Sequence, residues 1–509
     1  MLVFGRENHM TDVLSVENMR LSDAATIEAG TPGRELMMRA ARGVFDAVSE
    51  WKAPVAIVCG SGNNAGDGYA LALLFREAGI PCSLLRTSDR FSDDGRYYYD
   101  KCMEAGIEDA PFDLDGFNTV VDCILGTGFK GSVRDDLSEV IGKINKSGAY
   151  IVSVDINSGL DGDTGMADTC VMSDITVSIG DFKSGHFLNM AKDVMKHKIN
   201  CDIGIVPVKK PYHLIDESDV RSLLGVRKNF SNKGPYGYTA LIGGSTRYSG
   251  AIRLACLANA AMRSGAGVVK VALPASLTHD VAQHILESTL FPLQDADVMS
   301  TNNMQIVYDP KATDELISNV KTVAFGMGIG TGDGARLMLG HLLANYSGTL
   351  IIDADGLTLL SQTDDQESVL AKREAPTVLT PHIKEFSRLC GLSVSQIQED
   401  AIGTAVSYAN RTGTIVLLKG PSTVITDGER VFLTDRGCAG MATAGSGDVL
   451  SGIAAATCAF MEDKCLATAA AAFINGAAGE TAEKEYGDIS MTAGDTAAAI
   501  PGIIMNLAD

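Results

Sequence analysis

The chain is poor in every feature that would take it out of the ordinary globular class. Its eleven cysteines, at 59, 82, 102, 123, 170, 201, 256, 390, 438, 458 and 465, form no CxxC pair. An odd count without a spacing framework excludes a disulfide scaffold. It reads as reduced, mostly buried thiols, several of them inside apolar runs such as VAIVC and VVDCIL. The eight histidines show no ligand spacing, which disfavours a metal hydrolase. No run of Lys and Arg relieves a formal net charge of -21, so a nucleic-acid partner would be repelled. No uninterrupted apolar stretch of about 18 residues occurs, and no membrane span is expected. The opening MLVFGRENHMTDV lacks the apolar region of a secretion signal. A soluble cytoplasmic enzyme or binding protein is the expectation. Acidity does not exclude an anionic small ligand, because bare N–H groups at a helix start bind phosphate without net positive charge.

What is present is material for two cores. A chain of 509 residues, 46% hydrophobic and 21% charged, is too long for one. After a helical opening over Ala24–Glu50, strands are predicted at Val55–Cys59, Cys82–Leu85, Thr119–Ile124, Tyr150–Asp155 and Ile175–Ile179. Amphipathic runs lie between most of them, the pattern of a mostly parallel sheet covered on both faces. The stretch Pro207–Asp219 is polar and without periodicity, and the boundary is placed there, giving domains 1–213 and 214–509. Alternation restarts with strands at Tyr238–Ile242, Val268–Leu273, Thr322–Phe325, Thr349–Ile352, Thr377–Leu379 and Ile415–Leu418. A hairpin turning at Asp427-Gly428 follows, then helices over Asp448–Met461 and Ala467–Glu483. Two different α/β domains are expected, the first a three-layer α/β/α fold of Rossmann-like form.

The first chemical signal is GSGNNAGDG, Gly60–Gly68, which follows a strand and opens a helix. Its glycines permit close backbone approach, and Asp67 stands where an N-cap would stand. Asn63 and Asn64 could grasp a carboxamide or a cation. An ordinary Gly- and Asn-rich turn is the plainer explanation. Two further strand ends weaken it: Asp122 in VVDCILGTGFKGSV and Asp155 in VSVDINSG. Ligands of open α/β sheets bind outside such ends.

These segments, with VENMRLSDAATIEAGTPGRELMMRAARGV before them, resemble the YjeF N-terminal family, the NAD(P)HX epimerases, over most of residues 15–210. The resemblance implies substrate contacts from Asn63, Asn64, Ala65, Gly66 and Asp67, and from Asp155. A second set would be Gly126, Thr127, Gly128, Phe129, Lys130, Gly131 and Ser132. It also implies a K+ ion held by Asn64, Asp122 and Ser158, oxygen ligands suited to a hard cation. Asp155 is the candidate for acid–base assistance as the C–OH centre opens and recloses. Lys183 in GDFKSG is a second candidate, with a solvated surface lysine as the alternative. The family reads GNNGGDG and VDIPSG. Ala65 and Asn157 therefore depart, and Ala65 could strain a position that needs positive φ.

The second signal is MATAGSGDVLSG, Met441–Gly452. Small residues there expose the free amides of a helix start, a site for a phosphoryl group in transfer. Asp448 beside them could take a proton from an attacking hydroxyl, or simply cap the helix. The loop resembles the GxGD motif of ribokinase-like proteins, and residues 220–509 resemble the NAD(P)HX dehydratases. Supporting segments are NKGPYGYTALIGGS, AAMRSGAGVV, GMGIGTG, IIDADGL, LTPHIKEF and LLKGPSTVITDG, in the family's order. The resemblance implies a ribokinase-like α/β fold with Asp448 as catalytic base and substrate contact, and Gly328 and His382 lining the substrate site. Nucleotide would be held by Lys419, Gly420, Pro421, Ser422 and Thr423. A second nucleotide segment would comprise Cys438, Ala439, Gly440, Met441, Ala442, Thr443, Ala444, Gly445, Ser446 and Gly447. Asp353 and Asp355 could hold Mg2+ through water or cap a turn. Departures fall at Pro235, Ile383-Lys384 and Cys438-Ala439, where the family has KGDYG, HPGE and GNPG.

Together the resemblances imply a bifunctional enzyme that epimerises the R and S forms of NADHX and NADPHX and dehydrates the S form. Expected partners are those substrates, K+, and Mg2+ with ADP or ATP; a homo-oligomer is also expected. The rivals are a vitamin-type small-molecule kinase, which would release a stable phosphorylated product, and a non-catalytic scaffold built on the first domain.

Overall fold

The computed structural model describes residues 10–257, 263–297 and 303–508. Of the sequence segments above, the opening nine residues and positions 260–262 of AAMRSGAGVV lie outside the described residues. The described chain divides into two compact units. One holds Asp12–Tyr212, the other Thr11 and His213 onward.

The first unit is built on seven strands, all paired in parallel. Across the sheet they run Glu108–Ala110, Cys82–Arg86, Val55–Cys59, Thr119–Cys123, Tyr150–Val154, Ser173–Ile179 and Met195–Cys201. VAIVC is buried at all five positions, as a strand covered on both faces must be. Val55, Ile57 and Cys59 pack into one cluster with helices Gly33–Ala47, Asn63–Glu77 and Asp93–Glu104. Ala56 and Val58 pack into another with Leu137, Ile141 and Ile144 of helix Asp135–Lys146. From Val55–Cys59 the chain builds outward on one side and then, from Thr119–Cys123, on the other. The order therefore reverses between these two strands, and their carboxyl ends open a crevice.

In the second unit the strands run Thr289–Leu293, Val268–Pro274, Tyr238–Ile242, Thr322–Phe325, Thr349–Ile352, Thr377–Leu379, Ile415–Leu418, Thr423–Thr426 and Val431–Thr434. They pair in parallel up to Ile415–Leu418 and antiparallel through the hairpin that follows. One face is covered by helices Ser446–Phe460 and Lys464–Tyr486, whose alanines pack against Leu241, Ala324, Ile351 and Leu417. Small side chains let these helices lie close to the sheet, which sets the start of Ser446–Phe460 at its carboxyl edge.

Two expectations are corrected. The helical opening is two helices, Val16–Glu28 and Gly33–Ala47, because Pro32 is the N-cap of the second and cannot continue the first. The stretch Pro207–Asp219 is not featureless. It contains the strand Tyr212–Leu214 and the capping box of Asp216, which starts helix Glu217–Leu224.

Candidate functional site

In the first unit the crevice widens into a cavity of about 560 Å³, the size of a small-ligand pocket. It is lined by Asn63, Asn64 and Asp67 from one helix face, by Gly126–Phe129, and by Asp155 and Lys183. Helix Val16–Glu28 closes it with Val16, Met19, Arg20, Asp23 and Ile27. Gly60 makes the crevice possible, since a side chain there would collide with the Ile124 carbonyl.

Buried oxygen atoms gather on the backbone of Ile124 and Leu125, two residues of its wall. Asp122, fully buried, accepts from the Ser158 hydroxyl at 2.5 Å, the Ser158 amide at 2.9 Å and the Ser153 hydroxyl at 2.9 Å. The Leu125 amide donates to the Ser158 hydroxyl at 2.8 Å, and Asn64 Nδ2 donates to the Leu125 carbonyl at 3.1 Å. Asn64 Oδ1 is buried with no donor. Burial raises the Asp122 carboxyl above its ordinary value, against the pull of these hydrogen bonds. A cation would relieve both the orphaned oxygen and the buried carboxylate, so the three residues fit a K+ ion.

In the cavity itself stands an ion pair. Lys183 is 1% exposed and places Nζ 2.6 Å from Asp155 Oδ1, with further bonds to the Ile179 carbonyl at 2.7 Å and Ser178 at 3.3 Å. Burial would raise the Asp155 carboxyl; Lys183 overrides this and holds it below its ordinary value. Thr127 Oγ1 donates to the other oxygen at 3.1 Å. Asp67 behaves oppositely. Burial first, then Asp155 and Asp23, push its carboxyl well above the usual range.

In the second unit the start of helix Ser446–Phe460 is the focus. Gly445 is its N-cap at φ 97°, and no side chain fills the cap, so the first amides stay open. Asp448 lies in the first turn. Burial, then Asp353, raise its carboxyl to about 7, with Lys419 opposing. Lys419 Nζ sits 3.0 Å from Asp353 Oδ1, and Ser451 donates to Asp353 Oδ2 at 2.7 Å. A Cβ on Gly447 would lie 3.3 Å from Lys419 Nζ, so lysine, aspartates and open amides share one small space. Between Asp353 and Asp355, Ala354 takes φ 50°, a conformation rare for a residue with a Cβ.

Residues 33–185 match a family model described as YjeF-related protein N-terminus, and residues 239–502 match one described as NAD(P)H-hydrate dehydratase. A bifunctional NAD(P)H-hydrate repair enzyme from Moorella thermoacetica is 33% identical, covering 97% of each chain. Another from Methanothermobacter thermautotrophicus is 32% identical over 97% of this chain and 95% of its own. The chain belongs to the bifunctional NAD(P)H-hydrate repair enzymes. A ribokinase-like superfamily protein from Enterococcus faecalis covers 58% of this chain and 96% of its own, at TM-score 0.50 and 24% identity. That likeness shows the ribokinase-like fold.

Set against the repair-enzyme motifs, the predicted residues divide. Asn63, Asn64, Asp67, Gly126, Thr127, Gly128, Phe129, Asp155 and Lys183 line one cavity, whereas Asp122 and Ser158 are outside its lining, buried and bonded to the backbone of Ile124 and Leu125, which do line it. Ala65 and Gly66 do not line it: Ala65 is 1% exposed in the core, and Gly66 abuts Met37. Ala65 is helical, so the suspected strain is absent. Asp67 is not an N-cap; Gly62 is, and Asp67 falls in the second turn. Lys130 and Ser132 turn outward to Asp163 and Asp168, and Gly131 is outside the cavity lining. Lys183 is buried, which removes the solvated alternative.

In the second unit Asp448, Lys419 and Gly447 converge. His382 is the N-cap of helix Ile383–Cys390, its Nδ1 accepting from Lys384 and Glu385, which is a structural role. Gly328, at φ 64°, abuts Tyr248 and Ala251. Ser422 is 3% exposed and donates to Asp435. Cys438 is a neutral thiol, pushed up to about 12 by burial and Glu483.

The family departures are accommodated. Asn157, where the family has Pro, makes bonds to Val171, Val194, Ser173 and Thr176. Pro235 occupies the second position of a turn closed from Gly237 to Gly234. Ile383-Lys384 open a helix whose Glu385 completes a capping box with His382.

Sequence reasoning missed His186, Arg20, Asp23 and Ser451. Only Ser451 carried a signal, standing three residues beyond Asp448 on the same helix face.

Proposed function

We propose that this chain returns hydrated NADH and NADPH to the reduced cofactors. Residues 1–213 exchange the R and S forms, and residues 214–509 dehydrate the S form with ADP or ATP. The observation that carries the reading is Asp448, raised to about 7 beside the open amides of its own helix. A carboxylate poised near neutrality is suited to taking a proton from an alcohol.

Hydration of the ring's enamine double bond leaves the hydroxyl on the carbon beside the ring nitrogen. Hydroxide is a poor leaving group. Asp448 takes the hydroxyl proton while the oxygen attacks the terminal phosphoryl group of the nucleotide, and the helix amides meet the charge that develops. Lys419 offers the transferring group a positive charge. Phosphate then departs, pushed by the nitrogen lone pair. Loss of a proton from the adjacent carbon restores the double bond. Mg2+ with the nucleotide would offset phosphate charge. Asp353 is committed to Lys419 and Ser451, so Asp355 is the better placed to hold the ion through water.

In the cavity, Asp155 is ionised by Lys183 and removes the hydroxyl proton. The carbon–nitrogen bond opens, its electron pair moves to the ring nitrogen, and Asp67, which favours its neutral form, supplies that nitrogen with a proton. The aldehyde turns and recloses from its other face. Opposed protonation preferences in one cavity are the signature of an acid and base pair. Asn64, Asp122 and Ser158 would hold K+, whose charge steadies the oxygen-rich wall of the site.

The test is to supply chemically hydrated NADH and follow the reduced-nicotinamide absorbance with ADP, ATP or neither. Nucleotide-dependent recovery with release of free phosphate supports the reading. A stable phosphorylated product would identify a kinase instead.

A further inference from the structure

We infer that His186 is a positioning residue of the first site, its imidazole tying the backbone of Asp155 to that of Lys183 so that their side chains meet. This rests on reading residues 1–213 as the epimerase.

His186 is fully buried. Its Nδ1 accepts from the Lys183 amide at 3.0 Å, and its Nε2 lies 2.7 Å from the Asp155 carbonyl. One tautomer satisfies both contacts, with the lone pair on Nδ1 and the proton on Nε2. Burial first, then Lys183, lower the imidazole to about 4, so it stays neutral and keeps that tautomer. The rings of Phe182 and Phe187 flank it at 5.6 Å and 6.5 Å, leaving little freedom to turn.

The two backbones it joins belong to the two residues whose side chains pair at 2.6 Å. The Lys183 contact closes the capping box of the turn Ser184–His186, as a structural histidine could; the reach to the Asp155 carbonyl, 31 residues away, is what such a cap does not require. Asp155 sits at φ 66°, a left-handed conformation that aspartate takes more readily than most residues yet still at some cost, so a grip on its backbone helps to hold it. The Nε2–H bond grips the carbonyl of that strained residue. The charged groups facing the Asp155 carboxylate are Lys183 and, from helix Asn63–Glu77, Asp67.

The experiment uses the full chain, hydrated NADH of both forms, and two variants. His186→Met keeps bulk and removes both hydrogen bonds. His186→Gln offers a carbonyl oxygen and an N–H at similar spacing. In His186→Met, kcat for epimer exchange should fall about 10- to 100-fold, the loss expected of a misplaced group, while KM changes little. The acidic limb of its pH profile should move to higher pH, because Asp155 loses its alignment with Lys183. His186→Gln should recover most of the rate and return the limb. Dehydration of the S form by the same preparations should be unchanged, which shows that residues 214–509 are intact, and a wild-type circular dichroism spectrum and melting curve show that the first unit is folded. Wild-type rate and limb in His186→Met would overturn the inference. So would a rate loss with the limb unmoved and no recovery in His186→Gln, the behaviour of a packing residue. Absence of epimer exchange in the wild-type chain would instead overturn the epimerase reading, before any variant is compared.

Discussion

A carboxyl group that titrates at about 7 leaves a trace in both rate and stability, and the two have opposite signs. In the proposed reaction, dehydration needs Asp448 ionised. Its kcat/KM, which reports the free enzyme, should therefore fall as pH drops below about 7. Asp448→Asn should lower dehydration by about 100- to 10,000-fold and leave epimer exchange intact. A variant that dehydrates normally would remove Asp448 from its role. For stability, the folded chain keeps the Asp448 proton up to about 7, whereas the unfolded chain loses it near 4. Unfolding between those values releases a proton, so this group's contribution declines as pH rises through that window and is flat above it. Asp448→Asn should thus melt higher than wild type, most clearly above pH 7, as read by thermal denaturation at several pH values. In the first unit, Asp155→Asn should slow epimer exchange alone; loss of both activities would point to misfolding. At this scale the sequence exposed residues held in motifs, such as Asp448, Asp122 and Asp155. It could not decide Lys183, because burial of a lone lysine depends on which strand end folds over it. His186 was invisible for the same reason, since its partners lie 31 residues away and at its own strand's end.

At the scale of the element, strands buried on both faces declared themselves as continuous apolar runs. Val55–Cys59, Tyr238–Ile242, Thr322–Phe325, Thr349–Ile352 and Ile415–Leu418 match their expected bounds. Two of the strands missed lie at the edges of the first sheet. Met195–Cys201 alternates with exposed lysines, and Glu108–Ala110 is short and acidic, as edge strands tend to be. Pairing, not composition, makes them strands. The helix start proposed for the phosphoryl chemistry was legible through small residues, yet its geometry was not. Gly445 sits at φ 97°, and a side chain there would collide with Leu254. Gly445→Ala should therefore cost about 1–2 kcal/mol from backbone conformation alone, before the collision is counted. It should lower the melting temperature and weaken nucleotide-dependent dehydration while sparing epimer exchange. An alanine variant with wild-type melting and dehydration would show that the loop has another conformation open to it.

For the whole molecule, the informative fact is that each site is assembled inside its own unit. Every residue that lines the cavity falls between Asp12 and Tyr212, and Asp353, Lys419, Asp448 and Ser451 all fall beyond His213. On this assignment, each proposed reaction draws its groups from one unit. Sharing a chain then serves supply: a dehydratase that accepts one form leaves the other behind unless exchange keeps pace. This predicts complementation. Asp155→Asn chains should repair the S form and stall on the R form, and Asp448→Asn chains should exchange forms without repairing either. Mixed in equal amounts, they should convert both forms completely, at roughly half the wild-type rate for the same total protein, as independent sites on separate molecules add. The absorbance trace of reduced nicotinamide gives the answer directly. A mixture that stalls where Asp155→Asn alone stalls would mean the released form does not reach the second site through solution, and that the two units must act on it within one molecule.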